Sequence, residues 1–342
     1  VKINRKELLA ALEAVRPGLA ARDLIEQSTA FVFQAGRVYT YNDVVAVSHP
    51  CPAGLAGAVQ SKELHALLTR LADDDLEVET TADEMLVRGK RSKAGITLQT
   101  EITLPLGEVG ARKTWTALPQ GFAAAVKFVL FSAGADMTKP WSTAVHVAGS
   151  TVETCDNFRL TRYLLPAKKG VVSKIDADLL IPAVACADLV SYAPTHYSAD
   201  DQWVHFMNAA GTEFSCRTVA DKFPDLSPFV NREWQHEVEF PADMTEILER
   251  AKVFLVGDKN VQPVVSVKAS SGRLTVSAKG GAGWFEEVVR VVASKEAFEF
   301  LINPNALADM LATLKDCELS ADKSVLKFEG DNFIHCCATT VE

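Results

Sequence analysis

The sequence repeats itself three times, and this limits the possible folds more than any other feature. Amphipathic stretches of one shape begin at Val59, Ile181 and Ile302, spaced by 122 and then 121 residues. Each opens on a β-branched residue, followed by a capping or proline-type start. Apolar residues then recur at helical spacing: Leu64, Leu67 and Leu68; Cys186, Leu189 and Val190; Leu307, Met310 and Leu311. Hairpin-like segments follow each stretch. Residues 76–80 lead to 85–88, residues 203–206 lead through Ala210-Gly211 to 213–216, and residues 317–320 lead to 325–328 and, past Gly330, to 333–336.

A second helix opens each third of the chain. Asn4 caps a stretch that sets Leu8, Leu12 and Val15 on one face. Pro119 and Pro241 begin the others, because proline suits the start of a helix. Val126, Val129 and Leu130 follow the first proline; Met244, Ile247, Leu248 and Ala251 follow the second. Further strand-like runs lie between the helices, at 30–33, 37–40 and 44–47 and again at 264–267, 273–277 and 288–292. The unit is helix, strands, helix, strands. At about 114 residues, each unit can bury its own core. The polar runs at 112–114 and 231–236 suggest domains 1–114, 115–236 and 237–342. The expected class is α+β: three repeated domains per chain, each with two helices packed on antiparallel sheets.

Composition narrows the functional classes. The 342 residues are 48% hydrophobic and 23% charged, with a formal net charge of −9, which describes a folded chain that is not basic overall. No apolar run reaches the ~18 to 20 residues of a membrane span. Charge begins at Lys2 with no apolar segment after it, unlike a signal peptide, so the expected location is cytoplasmic. The seven cysteines are scattered and include no C-x-x-C, which argues against a disulfide framework or a zinc ribbon. His335-Cys336-Cys337 reads as part of a strand. Adjacent strand residues point to opposite faces, so packing is expected there rather than a metal.

Enzyme signatures are missing from the sequence. Neither phosphate-cradling glycine motif occurs, and there is no G-x-S-x-G elbow. Gly280-Gly281-Ala282-Gly283 is expected to be a hairpin turn, and Asp73-Asp74-Asp75 a solvated loop. No catalysis, cofactor or metal is expected. The alternative is an enzyme on the same scaffold, with Cys155 or a histidine assembled into a site by distant residues. The cations are unevenly spread. Arg5, Lys6, Arg16 and Arg22 fall on or after the first helix, Lys62 and Arg70 on the second, Lys127 on the third, Arg250 and Lys252 on the fifth, and Lys315 at the end of the sixth. Singly these are solvated helix faces. Arranged on an arc of repeats, they would attract phosphate locally on an acidic chain.

The order of several segments resembles the bacterial DNA polymerase III beta subunit, the sliding clamp, along essentially the whole length. The segments are 1–9, Met85-Leu86-Val87-Arg88-Gly89-Lys90-Arg91-Ser92-Lys93, Thr154-Cys155-Asp156-Asn157-Phe158-Arg159-Leu160, Lys222-Phe223-Pro224-Asp225-Leu226 and the helix at 302–311. The resemblance implies three clamp domains forming half of a closed ring, with a homodimer completing it. Helices would line a hole around duplex DNA without reading its sequence, and the ring would tether a replicative polymerase and a clamp loader. The cations named above would face the DNA.

A partner-peptide pocket maps by the same resemblance onto Cys155, Asn157, Phe158, Arg159 and Leu160, with Pro224 and Phe229 beside them. Leu104, Phe254 and Leu255 map onto the dimer seam. Asn157-Phe158 replaces the family's Gly-His, Phe229 adds bulk, and the family's terminal Met-Pro-Met-Arg-Leu has no counterpart in this sequence. Partner peptides are therefore expected to differ from the common motif. A clamp-fold inhibitor or interaction protein that is not loaded on DNA is a further alternative.

Overall fold

In a computed structural model of the chain, every residue is described except 53, 110–113, 169, 170, 173, 233, 235, 239, 256–262, 291–296, 314–317, 323 and 340–342. Helices form at α1 Arg5–Val15, α2 Ser61–Arg70, α3 Phe122–Val129, α4 Ala183–Ser191, the short α5 Ser227–Val230, α6 Met244–Lys252 and α7 Pro304–Thr313. Their buried faces are those the apolar spacing demands. Leu8, Leu12 and Val15 are buried on α1, and Met244, Ile247, Leu248 and Ala251 on α6. Asn4 caps α1, its Oδ1 accepting from the backbone of Lys6 and Glu7. The two predicted proline starts need correction. α3 and α6 begin three residues after Pro119 and Pro241, whose carbonyls accept from Phe122 and Met244 in a preliminary turn. Gly121, at φ +86°, breaks any helical continuation before α3.

The chain forms two compact units. Unit 1 comprises Val1–Ala123 and Ala177–Ala220, and unit 2 comprises Ala124–Asp176 and Asp221–Glu342. The middle third of the sequence is thus divided between them. The reason lies in strand pairing. In unit 1, Glu213–Arg217 pairs antiparallel with Val45–Pro50, so strands of the middle third extend the sheet of the first. In unit 2, Arg159–Leu164 pairs antiparallel with Phe333–Ala338, and the middle third extends the sheet of the last. Unit 1 thereby builds a 12-stranded sheet among the described residues. The join in unit 1 is fixed by Arg217, which pairs with Asp43 at 3.0 Å and lies 4.8 Å over the Trp203 ring.

The repeat is visible in turn chemistry. Ala35-Gly36 and Ser271-Gly272 both have positive φ, between the paired residues Gln34 and Arg37 and between Ser270 and Arg273. Only two-residue hairpins of that hand match the strand twist. The predicted turn at 280–283 is likewise a two-residue hairpin, Gly280 pairing with Gly283. The Asp73-Asp74-Asp75 run is exposed at Asp74 and Asp75, as expected of a solvated loop, and two of its carboxylates also make bonds. Asp74 pairs with Arg5 at 3.1 Å and Lys6 at 3.0 Å, while Asp73 accepts from the backbone of Lys90 at 2.9 Å. Those bonds anchor the start of α1. The core of unit 2 packs α6 and α7 on strands 265–270 and 273–280 through Ile247, Leu248, Val267, Val276, Leu307 and Met310.

Candidate functional site

Unit 2 brings the predicted pocket residues onto one strand end. The Phe158 carbonyl accepts from Ala338 N–H at 2.6 Å, and Leu160 pairs with Cys336 in register. From the other side, the Phe229 carbonyl accepts from the Cys336 thiol at 3.9 Å. Residues 336–338 therefore hold both phenylalanines, and both side chains are exposed, Phe158 by 57% and Phe229 by 46%. Exposed large apolar groups at one strand end are the kind of surface that a partner can cover. Asp156 shapes the approach, its Oδ1 accepting from the backbone of Phe158 and Arg159. Cys155 and Leu160 are buried beneath and support the patch without reaching its surface. Pro224 is half-buried in the loop before α5.

Three polar partners of this patch escaped the sequence reading. Arg159 is held by Asp156 at 3.1 Å and also by Asp309 of α7 at 3.5 Å. Asn157 accepts from Lys139 at 2.5 Å. Arg232 lies 5.8 Å over the Phe229 ring. The Asp309 and Lys139 contacts join residues far apart in the chain, which leaves no local signal, whereas Arg232 and Phe229 are only three residues apart.

The predicted DNA-facing cations fall into three groups. Arg5 is occupied, its guanidinium donating to the carbonyls of Asp73 and Leu68 and to Asp74. Lys6 pairs with Asp74, Arg16 with Glu13, Arg250 with Glu287 and Lys252 with Glu249. Arg22, Lys62, Arg70 and Lys127 are exposed and make no ion pair among the described residues. Lys315 lies outside the described residues. His65 bridges α2 to Glu13 of α1. Burial pulls the Glu13 carboxyl up, but Arg16 and His65 outweigh it and hold it below its ordinary range.

The predicted seam residues divide as well. Leu104 is 4% exposed and packs with Val32, Tyr41, Val109 and Trp203, so its side chain is core and offers a partner little surface. Phe254 is half-buried and stacks on Phe285 at 6.2 Å, and its chain neighbour Val253 is exposed. Leu255 packs on the core of unit 2. Gly280 permits this arrangement, since a Cβ there would overlap the Phe254 carbonyl oxygen. Gly280→Ala should displace the 253–255 turn and cost about 1–3 kcal/mol, read as a lower denaturation midpoint. An unchanged midpoint would show that the turn moves without penalty.

The chemistry for nucleophilic catalysis is poor. Burial, then the charges of Asp156 and Glu153, pushes the Cys155 thiol up to about 12, far from a thiolate at neutral pH. A serine–histidine–aspartate row does occur: His205 Nδ1 lies 2.8 Å from Ser215 Oγ, and its Nε2 lies 3.4 Å from Asp200. Ser215 and His205 are 3% and 1% exposed. Strands 45–50 and 203–207 flank Ser215, so nearby N–H groups are committed to ladders instead of an oxyanion. The row reads as a satisfied buried network.

No family model and no curated protein matches this sequence. Solved structures match its whole length. The beta subunit of DNA polymerase from Streptococcus pyogenes aligns with a TM-score of 0.87 at 15% identity, covering 100% of this chain and 99% of that one. The DNA polymerase III subunit beta of Pseudomonas aeruginosa gives 0.84 at 17% identity, with 99% of each chain covered. That of Thermotoga maritima gives 0.82 at 16% identity, covering 100% of this chain and 99% of that one. The chain has the α+β fold of these beta subunits.

Proposed function

We propose that the chain is a processivity clamp: two copies close around duplex DNA and tether a polymerase through the Phe158–Phe229 patch. The observation that carries this reading is the fold likeness across 99–100% of this chain. A clamp needs no tight grip, because topology prevents escape while weak phosphate contacts allow sliding. A net charge of −9 with a few unpaired helix cations suits that division of labour. The three sequence domains, two compact units notwithstanding, would repeat twice to close a ring of six. Phe254, with exposed Val253 next to it, would supply apolar surface for the seam. The patch would take an extended peptide with apolar or aromatic anchors from the polymerase or the loader.

Primer extension with the cognate polymerase and loader tests the reading. Products should lengthen when the protein is added, and native mass should be twice 37.1 kDa. Truncating the anchors with Phe158→Ala and Phe229→Ala should each weaken partner binding by about 2 kcal/mol, roughly thirtyfold, without changing that mass. No gain in product length at any salt concentration would overturn it.

A further inference from the structure

The helix pairs that open and close the chain differ in charge. On α1, α2 and the adjoining Arg16 there are five cations, Arg5, Lys6, Arg16, Lys62 and Arg70, against three carboxylates, Glu7, Glu13 and Glu63. On α6, α7 and the adjoining Asp243 there are two cations, Arg250 and Lys252, against four carboxylates, Asp243, Glu246, Glu249 and Asp309. Those four carboxylates are exposed. Both cations are already engaged. Glu287 holds Arg250 through two bonds of 2.9 and 2.8 Å, and Lys252 is held by Glu249 and by Asn305 at 3.2 Å. With Asp309 on Arg159, the carboxylates of this group that make no ion pair among the described residues are Asp243 and Glu246. Of the two middle helices, α3 exposes one cation, Lys127, and α4 carries none and exposes Val184, Ala187 and Asp188.

The unpaired cations of unit 1 are also tied together. Ser61, first in α2, donates from its backbone and its hydroxyl to the Thr29 carbonyl, at 3.3 and 2.6 Å. Asp23 accepts from Ser28 and Thr29 at 3.4 and 3.5 Å. The loop that carries Arg22 is thereby fixed at the end of α2 that carries Lys62. Arg70 stands two turns further along the same helix, about 12 Å away by helical rise.

We infer that duplex contact is one-sided in this protein: the Arg22–Lys62–Arg70 surface of unit 1 attracts phosphate, while the α6–α7 face repels it. The inference rests on the clamp reading and adds which face holds the DNA. Each phosphate neutralised releases counterions, so binding must weaken with salt in proportion to the cations that touch DNA.

The test is a fluorescence-anisotropy titration of the full chain with a short fluorescein-labelled duplex at several NaCl concentrations. Replacing Arg22, Lys62 and Arg70 by Ala should lower the slope of log affinity against log salt by about 0.9 per residue per chain. Glu246→Lys with Glu249→Lys should raise affinity and steepen the slope. All five positions are exposed, and an unchanged thermal midpoint confirms that each variant folds. If the unit 1 variant binds as the parent does, or if the α6 variant gains nothing, one-sided contact is wrong while the clamp reading stands. A parent protein that shows no duplex affinity even at the lowest salt, and no lengthening of primer products, removes both.

Discussion

Arg162→Leu should destabilise the protein by about 3–5 kcal/mol, because it strands a buried carboxylate. Glu153 is 5% exposed, and its Oε1 accepts from Arg162 Nε at 2.9 Å. The two face each other in register across neighbouring strands, with His146 opposite Glu153 on the other side. His146 in turn stacks on Phe223 at 4.4 Å, so the row lies under the loop that leads to Pro224 and Phe229. Without the guanidinium, the Glu153 carboxylate is left in a poorly solvated place with its countercharge removed, which costs free energy. Replacing both partners, Glu153→Leu with Arg162→Leu, should recover most of the loss, because no charge is then buried. Urea midpoints of the parent, both single variants and the double variant give the coupling directly. A single variant as stable as the double would show that the pair is solvated and weak.

Much of this fold is legible in the sequence because it depends on local periodicity. The triplicated helices announce themselves through residues such as Leu8, Leu12 and Val15 or Ile247, Leu248 and Ala251, whose spacing is that of a helix packed on one face. Hairpins at Ala35-Gly36 and Gly281-Ala282 are legible for the same reason, since a short turn is encoded by the few residues that make it. The grouping of strands is not local. Nothing near Val45 or Glu213 says that they pair, yet that register extends the sheet of unit 1 across a third of the chain. Compactness follows such pairings, which is why two units emerge from three sequence repeats.

The candidate site shows the same limit from the side of chemistry. Phe158 and Phe229 are both exposed, which the proposed docking role needs. Whether a residue type is available to a partner is decided by neighbours the sequence does not place beside it. Arg5 and Leu104 illustrate the point. The first is spent on Asp74 and two carbonyls, and the second on a core with Trp203. An arginine on a helix and a leucine in a loop look equally free when only spacing is known. Long-range hydrogen bonds and packing consume them, and only the folded chain shows which remain.

Acid should weaken the fold through His335. Its ring is fully buried, with Phe131 at 5.0 Å and Phe328 at 6.3 Å. Nδ1 lies 2.7 Å from Thr161 Oγ1, which is 2.6 Å from Ser132 Oγ, which is 2.6 Å from Thr154 Oγ1. Thr154 donates its proton to the Val129 carbonyl at 2.6 Å. Ser132 Oγ also donates to the Val129 carbonyl at 3.2 Å, so this hydroxyl row supports one ring nitrogen only. Nε2 has no partner among the described residues. Protonating both nitrogens would place a charge with an unbonded N–H among rings. Burial, then the charge of Arg159, accordingly pulls the imidazole down to about 3. The unfolded chain keeps an ordinary value near 6.5. Between these values the unfolded state binds a proton that the native state refuses. Stability from this residue is therefore complete above about pH 6.5 and falls on acidification by about 1.4 kcal/mol per pH unit, reaching about 2 kcal/mol near pH 5. His335→Asn keeps a polar partner for Thr161 and cannot titrate. Whatever its own cost, its urea midpoint should fall less steeply than the parent's from pH 7 to pH 5, and parallel slopes would mean that His335 takes up its proton in the folded state.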